Sequence, residues 1–433
     1  MFLYGILFSA LCILILALEP LEVQFEWDYA YLQAPRGMTY VIHSSKLGHI
    51  KFWNGSIYLA IPRVKGGVPV TLAVAQASPM DESPLLKPYP NWKSQNATGS
   101  CSSFQSVMSI EIDPMGRMWV LDSGTYVLLP FNTTKKIVCP PRLVILDLKC
   151  RGKVLLNYTF PPSVARPGSA LLSDIVLDHE GGGFAYISNL DIHDDNDKDI
   201  IVFSLRKVAS WKVKQNDRID RLALAPARGE GNRLLYYTTL NSQKIFTLPT
   251  HVLKDQIRQE ANELSETPRQ WHGMAISSNG TMYLTESDTN SVYSWKLSSP
   301  SFDATELKTE WTVDSSTRFY SSPVFDGKGN LLLVCYTDWN VRVIRLSSEI
   351  KMQNYQYCEN GSMPELPSIT FGALKNGTVS TLFTIAAGGA SANGTVPKLS
   401  FNTTDMVRNG TPLKLRFIND YFLLFCLLFL VVR

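Results

Sequence analysis

Ser106-Val-Met-Ser-Ile-Glu-Ile-Asp113-Pro-Met-Gly116-Arg-Met-Trp119-Val-Leu-Asp122 decides the fold of this chain. It is an apolar strand, a tight Asp/Gly turn and a second strand rich in aromatic and β-branched residues, the signature of a β-hairpin. Five further copies can be read. They run Ser173–Asp178 to Phe184–Ser188, Arg221–Ala225 to Leu235–Thr238, His272–Ile276 to Gly280–Leu284, Ser322–Gly327 to Gly329–Leu333 and, more loosely, His49–Gly55 to Ser56–Leu59. Successive turns lie roughly 50 to 65 residues apart, a spacing that reads as propeller blades. A lone hairpin cannot bury its faces, whereas hairpins packed radially round an axis can, leaving only short edges. The expectation is an all-β, six-bladed propeller over residues 25–383, with the ring closed near 371–383 against the N-terminal strands.

Composition agrees with a large β core: 45% of the 433 residues are hydrophobic and 11% aromatic. Net charge is only +3 and no dense Lys/Arg run occurs. Nucleic acid is therefore not an expected partner, because its recognition needs a basic stripe that displaces counterions. Leu253–Glu266 is the one good helix candidate, with Leu253, Ile257, Ala261 and Leu264 at helical spacing. Residues 79–99, rich in Pro and Asn, read as a long loop.

The ends differ from the middle. Residues 1–20 are almost wholly apolar and read as a secretory signal, cleaved between Ala17 and Glu22. Residues 386–411 are rich in Gly, Ala, Ser, Asn and Thr, a flexible stalk. Residues 412–433 pass from a charged spacer to an apolar run. With the small residues Asn409-Gly-Thr before it, that order fits a lipid-anchor (GPI) signal attached at Asn409, or else a short membrane stub. Membrane contact is expected only through this tail.

Ten Asn-x-Ser/Thr sequons favour secretion, since the motif has meaning only in a secreted chain. The glycosylation candidates in the propeller range are Asn54, Asn96, Asn132, Asn157, Asn279, Asn360 and Asn376. Five cysteines lie between the two ends: Cys101, Cys139, Cys150, Cys335 and Cys358. In an oxidising compartment most should pair. Cys101 with Cys139 or Cys150 is the preferred bridge, and Cys335 with Cys358 a weaker one.

Standard catalytic signatures are absent: no Gly-x-Ser-x-Gly elbow, no phosphate loop, no Gly-x-Gly-x-x-Gly and no His-Glu-x-x-His. No cofactor is implied, and no His pair has metal-ligand spacing. His272 begins an inner strand, where an axial mouth lies. It is a candidate proton donor or acceptor, or alternatively a histidine hydrogen-bonded to a neighbouring blade. Asp174 and Asp220 also begin inner strands. Either could attract an ammonium group, with Phe319, Tyr320 or Tyr336 stacking on the ligand, or could instead cap backbone amides. The acidic run with Asp195, Asp197 and Asp199 reads as a solvated turn rather than a calcium loop, because it lacks the Gly and Glu of an EF-hand.

Several phrases resemble one family. These are Phe25-Glu-Trp-Asp-Tyr29, Asn54-Gly-Ser-Ile-Tyr-Leu-Ala-Ile-Pro-Arg63, Pro88-Tyr-Pro-Asn-Trp92, Gly116-Arg-Met-Trp-Val-Leu-Asp-Ser-Gly124 and Cys139-Pro-Pro-Arg-Leu-Val-Ile-Leu-Asp-Leu148. Together they are similar to the Yellow/major royal jelly protein family. The resemblance implies a secreted six-bladed propeller with roles in melanin formation, dopachrome conversion, biogenic-amine binding or nutrition. Met115 stands where many relatives carry Cys, and Val334–Asn340 departs from the usual end of that strand. Three functions stay open: binding of a small aromatic amine or catechol-derived ligand, tautomerisation of dopachrome with His272 and an axial carboxylate shuttling a proton, and a structural extracellular role.

Overall fold

The computed structural model describes residues 22–27, 47–76, 85–96, 100–124, 139–179, 182–191, 198–227, 233–240, 243–257, 259–266, 269–286, 289–298, 302, 307–312, 318–319, 322–326, 329–336 and 341–346. All of them belong to one compact unit, residues 1–361; a second unit, 362–433, contains none. The C-terminal features, from Cys358 to the Asn409 tail, therefore lie outside the described residues, as do the leader 1–20, Asn132, Asn360, Asn376, Asp195, Asp197 and Tyr320.

Strand β1 (Glu22–Trp27) comes first. The first blade then holds β2 (His49–Trp53), β3 (Ser56–Ala60), β4 (Leu72–Gln76) and β5 (Lys87–Pro88). The second holds β6 (Val107–Ile112), β7 (Arg117–Asp122), β8 (Arg142–Asp147) and β9 (Lys153–Thr159). The third holds β10 (Leu172–Asp178), β11 (Phe184–Asn189), β12 (Asp199–Ser204) and β13 (Ala209–Lys214). The fourth holds β14 (Ile219–Leu224), β15 (Leu234–Thr239), β16 (Lys244–Pro249) and β17 (Asn262–Glu266), with α1 (Thr250–Lys254) between the last two. The fifth holds β18 (Trp271–Ile276), β19 (Thr281–Glu286), β20 (Ser291–Lys296) and β21 (Lys308–Thr312). The final strands are β22 (Arg318–Phe319), β23 (Val324–Phe325), β24 (Leu331–Tyr336) and β25 (Val341–Leu346).

All six hairpins read from the sequence are present, but the expectation of a six-bladed propeller is corrected. Five sheets are four-stranded antiparallel blades, each drawn from one continuous stretch in the order inner to outer. The remaining sheet is not built on that plan. It has five strands in the order β1-β25-β24-β22, with β23 also paired to β24. Two short strands take the inner place and the chain's first strand takes the outer place. Among the described residues the closing pairing is Glu22–Trp27 with Val341–Arg345, and residues 371–383, where closure was expected, lie outside them.

Residue chemistry explains each blade. Inner and middle strands read as near-continuous apolar runs because both of their faces are covered, as in β11, where every residue is buried. The hairpin turns rest on left-handed residues. Gly116 has φ +77°, and a Cβ there would lie 2.6 Å from the Trp53 ring. Asp113 completes that turn, its Oδ1 accepting from the Met115 and Arg117 amides at 2.9 and 3.0 Å. Neighbouring sheets share their apolar faces in separate clusters. Ile110 and Val120 pack on Tyr58, and Ile175 and Ile187 on Trp119. Val334 and Val343 of the closing sheet pack on Ile57 and Leu59 of the first blade. Tyr283 meets Phe325 edge-on at 5.9 Å on the other side of the closing sheet.

Two further expectations give way. The helix predicted over 253–266 is confined to Thr250–Lys254, and 262–266 is the outer strand β17. The loop predicted over 79–99 carries β5 and a short 3-10 turn, Trp92–Gln95, whose Gln95 side chain accepts from Thr71 N and donates to Tyr89 O. A disulfide joins Cys101 to Cys139, with Cα atoms 5.5 Å apart. Cys150 is an exposed thiol and Cys335 is buried in β24. Asn54, Asn96, Asn157 and Asn279 are all exposed. Among the described residues no helix is long and apolar enough to cross a membrane.

Candidate functional site

The innermost strands β2, β6, β10, β14, β18 and β23 surround a cavity of about 490 Å³. Their register sets what faces it. Ile50, Ile110, Ile175, Leu222, Met274 and Val324 point into the clusters between sheets. Residues one step before them, on the opposite side of the pleat, are His49, Ser109, Asp174, Arg221, Gly273 and Pro323, of which His49, Asp174 and Pro323 line the cavity. Two residues further along, the next axial layer is Lys51, Glu111, Val176, Ala223, Ala275 and Phe325, and all six line the cavity.

The first layer forms the polar floor. Asp174 and His49 are buried, at 3% and 6% exposure. Asp174 Oδ2 accepts from Leu222 N at 2.9 Å, across to the next blade, and Oδ1 accepts from Ile175 N at 2.9 Å. His49 Nε2 lies 3.8 Å from Asp174 Oδ1, and Nδ1 is 3.2 Å from the Ser109 hydroxyl. Burial lifts the Asp174 carboxyl to about 6, although Arg221, Lys51 and the two amides oppose the shift. Burial, then Arg221 and Lys51, holds the His49 imidazole well below 6.5. Near neutral pH the floor thus pairs a carboxyl close to its midpoint with an uncharged imidazole.

The second layer is divided. Lys51 Nζ and Glu111 Oε2 form an ion pair at 2.7 Å on the side of the first two blades. The other side is apolar, with Val176, Ala223, Ala275 and Phe325. The cavity thus offers an apolar face opposite the ion pair and Asp174. His179 and Arg233 also line the cavity, and Arg233 Nη1 is held 3.2 Å from Asp178 Oδ1.

Of the candidate ligand-binding and catalytic residues read from the sequence, Asp174 lines the cavity. The capping reading of its carboxylate also describes its contacts, because it accepts two backbone amides. Asp220 and His272 do not line the cavity. Both occupy bulge positions, where the register slips between Ile219 and Arg221 and between Trp271 and Gly273. Asp220 Oδ2 is 3.6 Å from Arg221 Nε, and the His272 carbonyl accepts from the same Nε at 2.9 Å. Phe319 and Tyr336 lie on β22 and β24 of the closing sheet, and their side chains are outside the description. Asp199 pairs with Lys212 at 3.3 Å. His49, Lys51 and Glu111 were not singled out. Their signal is positional: each sits one residue from an apolar position that repeats from blade to blade.

Comparison with known proteins now bears on this site. A family model described as major royal jelly protein matches residues 105–316, which span the second blade to the fifth. Over these blades the chain is similar to the Yellow/major royal jelly protein family. Its Yellow-type relatives include a Drosophila melanogaster protein named dopaminechrome tautomerase, 24% identical over 323 residues, covering 65% of this chain and 68% of the relative. Protein yellow of Drosophila erecta is also 24% identical over 323 residues, but the match spans only 58% of its length. Among solved structures, streptogramin B lyase aligns with a TM-score of 0.42 and 11% identity, over 70% of this chain and 80% of the lyase, a likeness too slight to carry weight.

Proposed function

We propose that this Yellow-like chain binds a small catechol-derived ring in the axial cavity and moves protons on it, as a tautomerase of a cyclic aminochrome. The observation that carries the reading is the buried Asp174–His49 floor. A carboxyl near 6 beside a neutral imidazole is suited to general acid–base work close to neutral pH. In the carboxylate form Asp174 takes a proton from a saturated ring carbon, and the neutral His49 passes a proton towards a quinone oxygen. Over the whole conversion two protons leave saturated carbons and two arrive on the quinone oxygens. The C–H electron pairs enter the ring, so the dione becomes a diol with no outside oxidant. The relative named dopaminechrome tautomerase supports this substrate class.

A second reading, capture of an aromatic amine without turnover, is favoured by the two carboxylates in the wall, Asp174 and Glu111. An absorbance assay with dopaminechrome separates the two. Conversion well above the spontaneous rate supports the tautomerase. Saturable binding with no acceleration supports capture, and neither result would remove the cavity from consideration as a ligand site.

We also place the protein outside the cytosol. The Cys101–Cys139 bridge and the exposed sequons Asn54, Asn96, Asn157 and Asn279 favour this. A mass loss on deglycosylation of protein from a secretory host checks it. Release from cells by a phosphatidylinositol-specific phospholipase checks attachment at Asn409.

A further inference from the structure

We propose that the Lys51–Glu111 pair sets the charge selectivity of the axial cavity, admitting uncharged or cationic rings and rejecting rings that carry a carboxylate. The inference rests on the reading of this cavity as the substrate site. Lys51 is the cation of the axial layer next to the floor among the described residues, and Glu111 already holds it at 2.7 Å. Glu111 is itself fixed, because its other oxygen accepts from Ile112 N at 2.9 Å. A carboxylate arriving at this depth would have to displace Glu111 from Lys51 and would face Asp174 as well. Arg233 is the other cation lining the cavity, and it is engaged by Asp178 at 3.2 Å. Arg221, in the floor layer, lies 3.6 Å from Asp220 and donates to the His272 carbonyl. The remaining second-layer residues, Val176, Ala223, Ala275 and Phe325, offer an anion no donor from their side chains. Lys51 and Arg233 in the lining and Arg221 in the floor layer are thus each already engaged, and rejection of the wrong charge is built into the wall.

The test compares two aminochromes of one chemistry: dopaminechrome, which has no carboxylate, and dopachrome, which has one. The protein and the variants Glu111→Gln and Lys51→Gln are assayed on both, with melting curves to confirm folding. The unaltered protein should favour dopaminechrome in kcat/KM by about tenfold, the factor expected of one charge-assisted contact. Glu111→Gln frees Lys51 and should narrow that ratio, mainly through the KM for dopachrome. Lys51→Gln leaves Glu111 unpaired and should widen it. Equal use of both substrates by the unaltered protein, or an unchanged ratio in a folded Glu111→Gln, overturns the proposal while leaving the tautomerase reading in place. If Glu111→Gln does not fold, an unchanged ratio in Lys51→Gln overturns it. Acceleration of neither substrate by the unaltered protein overturns both.

Discussion

Arg63 is a guanidinium with only 1% exposure, and it organises the start of the first two blades. It donates to the carbonyls of Val68, Phe104, Gln105, Pro69 and Gln95 at 2.7 to 2.8 Å. Substituting Met would keep much of the volume and leave five buried acceptors short of a donor. Arg63→Met should therefore cost about 3 kcal/mol or more, read as a lower urea midpoint. Asp174 carries the opposite kind of prediction. Its folded pKa, about 6, lies above the usual 3.8, so the folded state binds the extra proton between those values. Stability from this group is fully present below about pH 4 and is lost as pH rises through about 6. The melting temperature of Asp174→Asn relative to the parent should accordingly rise with pH over that window. A difference that falls with pH would contradict the buried-carboxyl assignment. At this scale the sequence was half legible. Lining up Leu172-Ser-Asp-Ile, Ile219-Asp-Arg-Leu and Trp271-His-Gly-Met on their apolar ends puts Asp174 level with Arg221 and Gly273. Asp220 and His272 fall on the bulge. Grouping Asp174 with them ignored that one-residue slip.

At the scale of elements, hairpins were readable because strand alternation and the turn residues are local signals. The outer strands were not, because their partners decide them. Leu253, Ile257, Ala261 and Leu264 recur at helical spacing, yet α1 stops at Lys254 and Gln256 adopts φ +58°. The chain then runs along β16, and Ala261 and Leu264 pack on two different clusters between blades. Edge hydrogen bonds and packing override a spacing that fits a helix. The second blade is tied by the Cys101–Cys139 bridge and, beside it, by Asp122. Asp122 accepts from the Gln105, Ser106 and Gly124 amides and from Arg142 Nε at 3.1 Å. The bridge spans 38 residues of sequence, so the paired change Cys101→Ala with Cys139→Ala should lower stability by about 3 kcal/mol. Urea unfolding under non-reducing conditions measures it. An unchanged midpoint would mean that the Asp122 network alone holds this end of the blade.

For the whole molecule, closure is the feature that no local pattern reveals. β1 and β25 lie at opposite ends of the described chain, and nothing in either strand names the other as its partner. The pairing still has a consequence. A protein beginning after Trp27 would lose the outer strand of the closing sheet and expose β25 along its length. It should unfold at a lower denaturant concentration and aggregate, and light scattering on refolding would show this. The expected leader 1–20 ends just short of Glu22, so its removal would leave the closing strand whole. Ring integrity also shapes the cavity, which takes its wall from the inner strand of every sheet. The most direct test of the account is the rate of dopaminechrome conversion between pH 5 and 8 by the parent and by Asp174→Asn. The account predicts a parent rate that rises with pH through about 6, and a loss of roughly 100-fold or more in Asp174→Asn with ligand binding retained. A folded Asp174→Asn that converts the substrate as fast as the parent would contradict it.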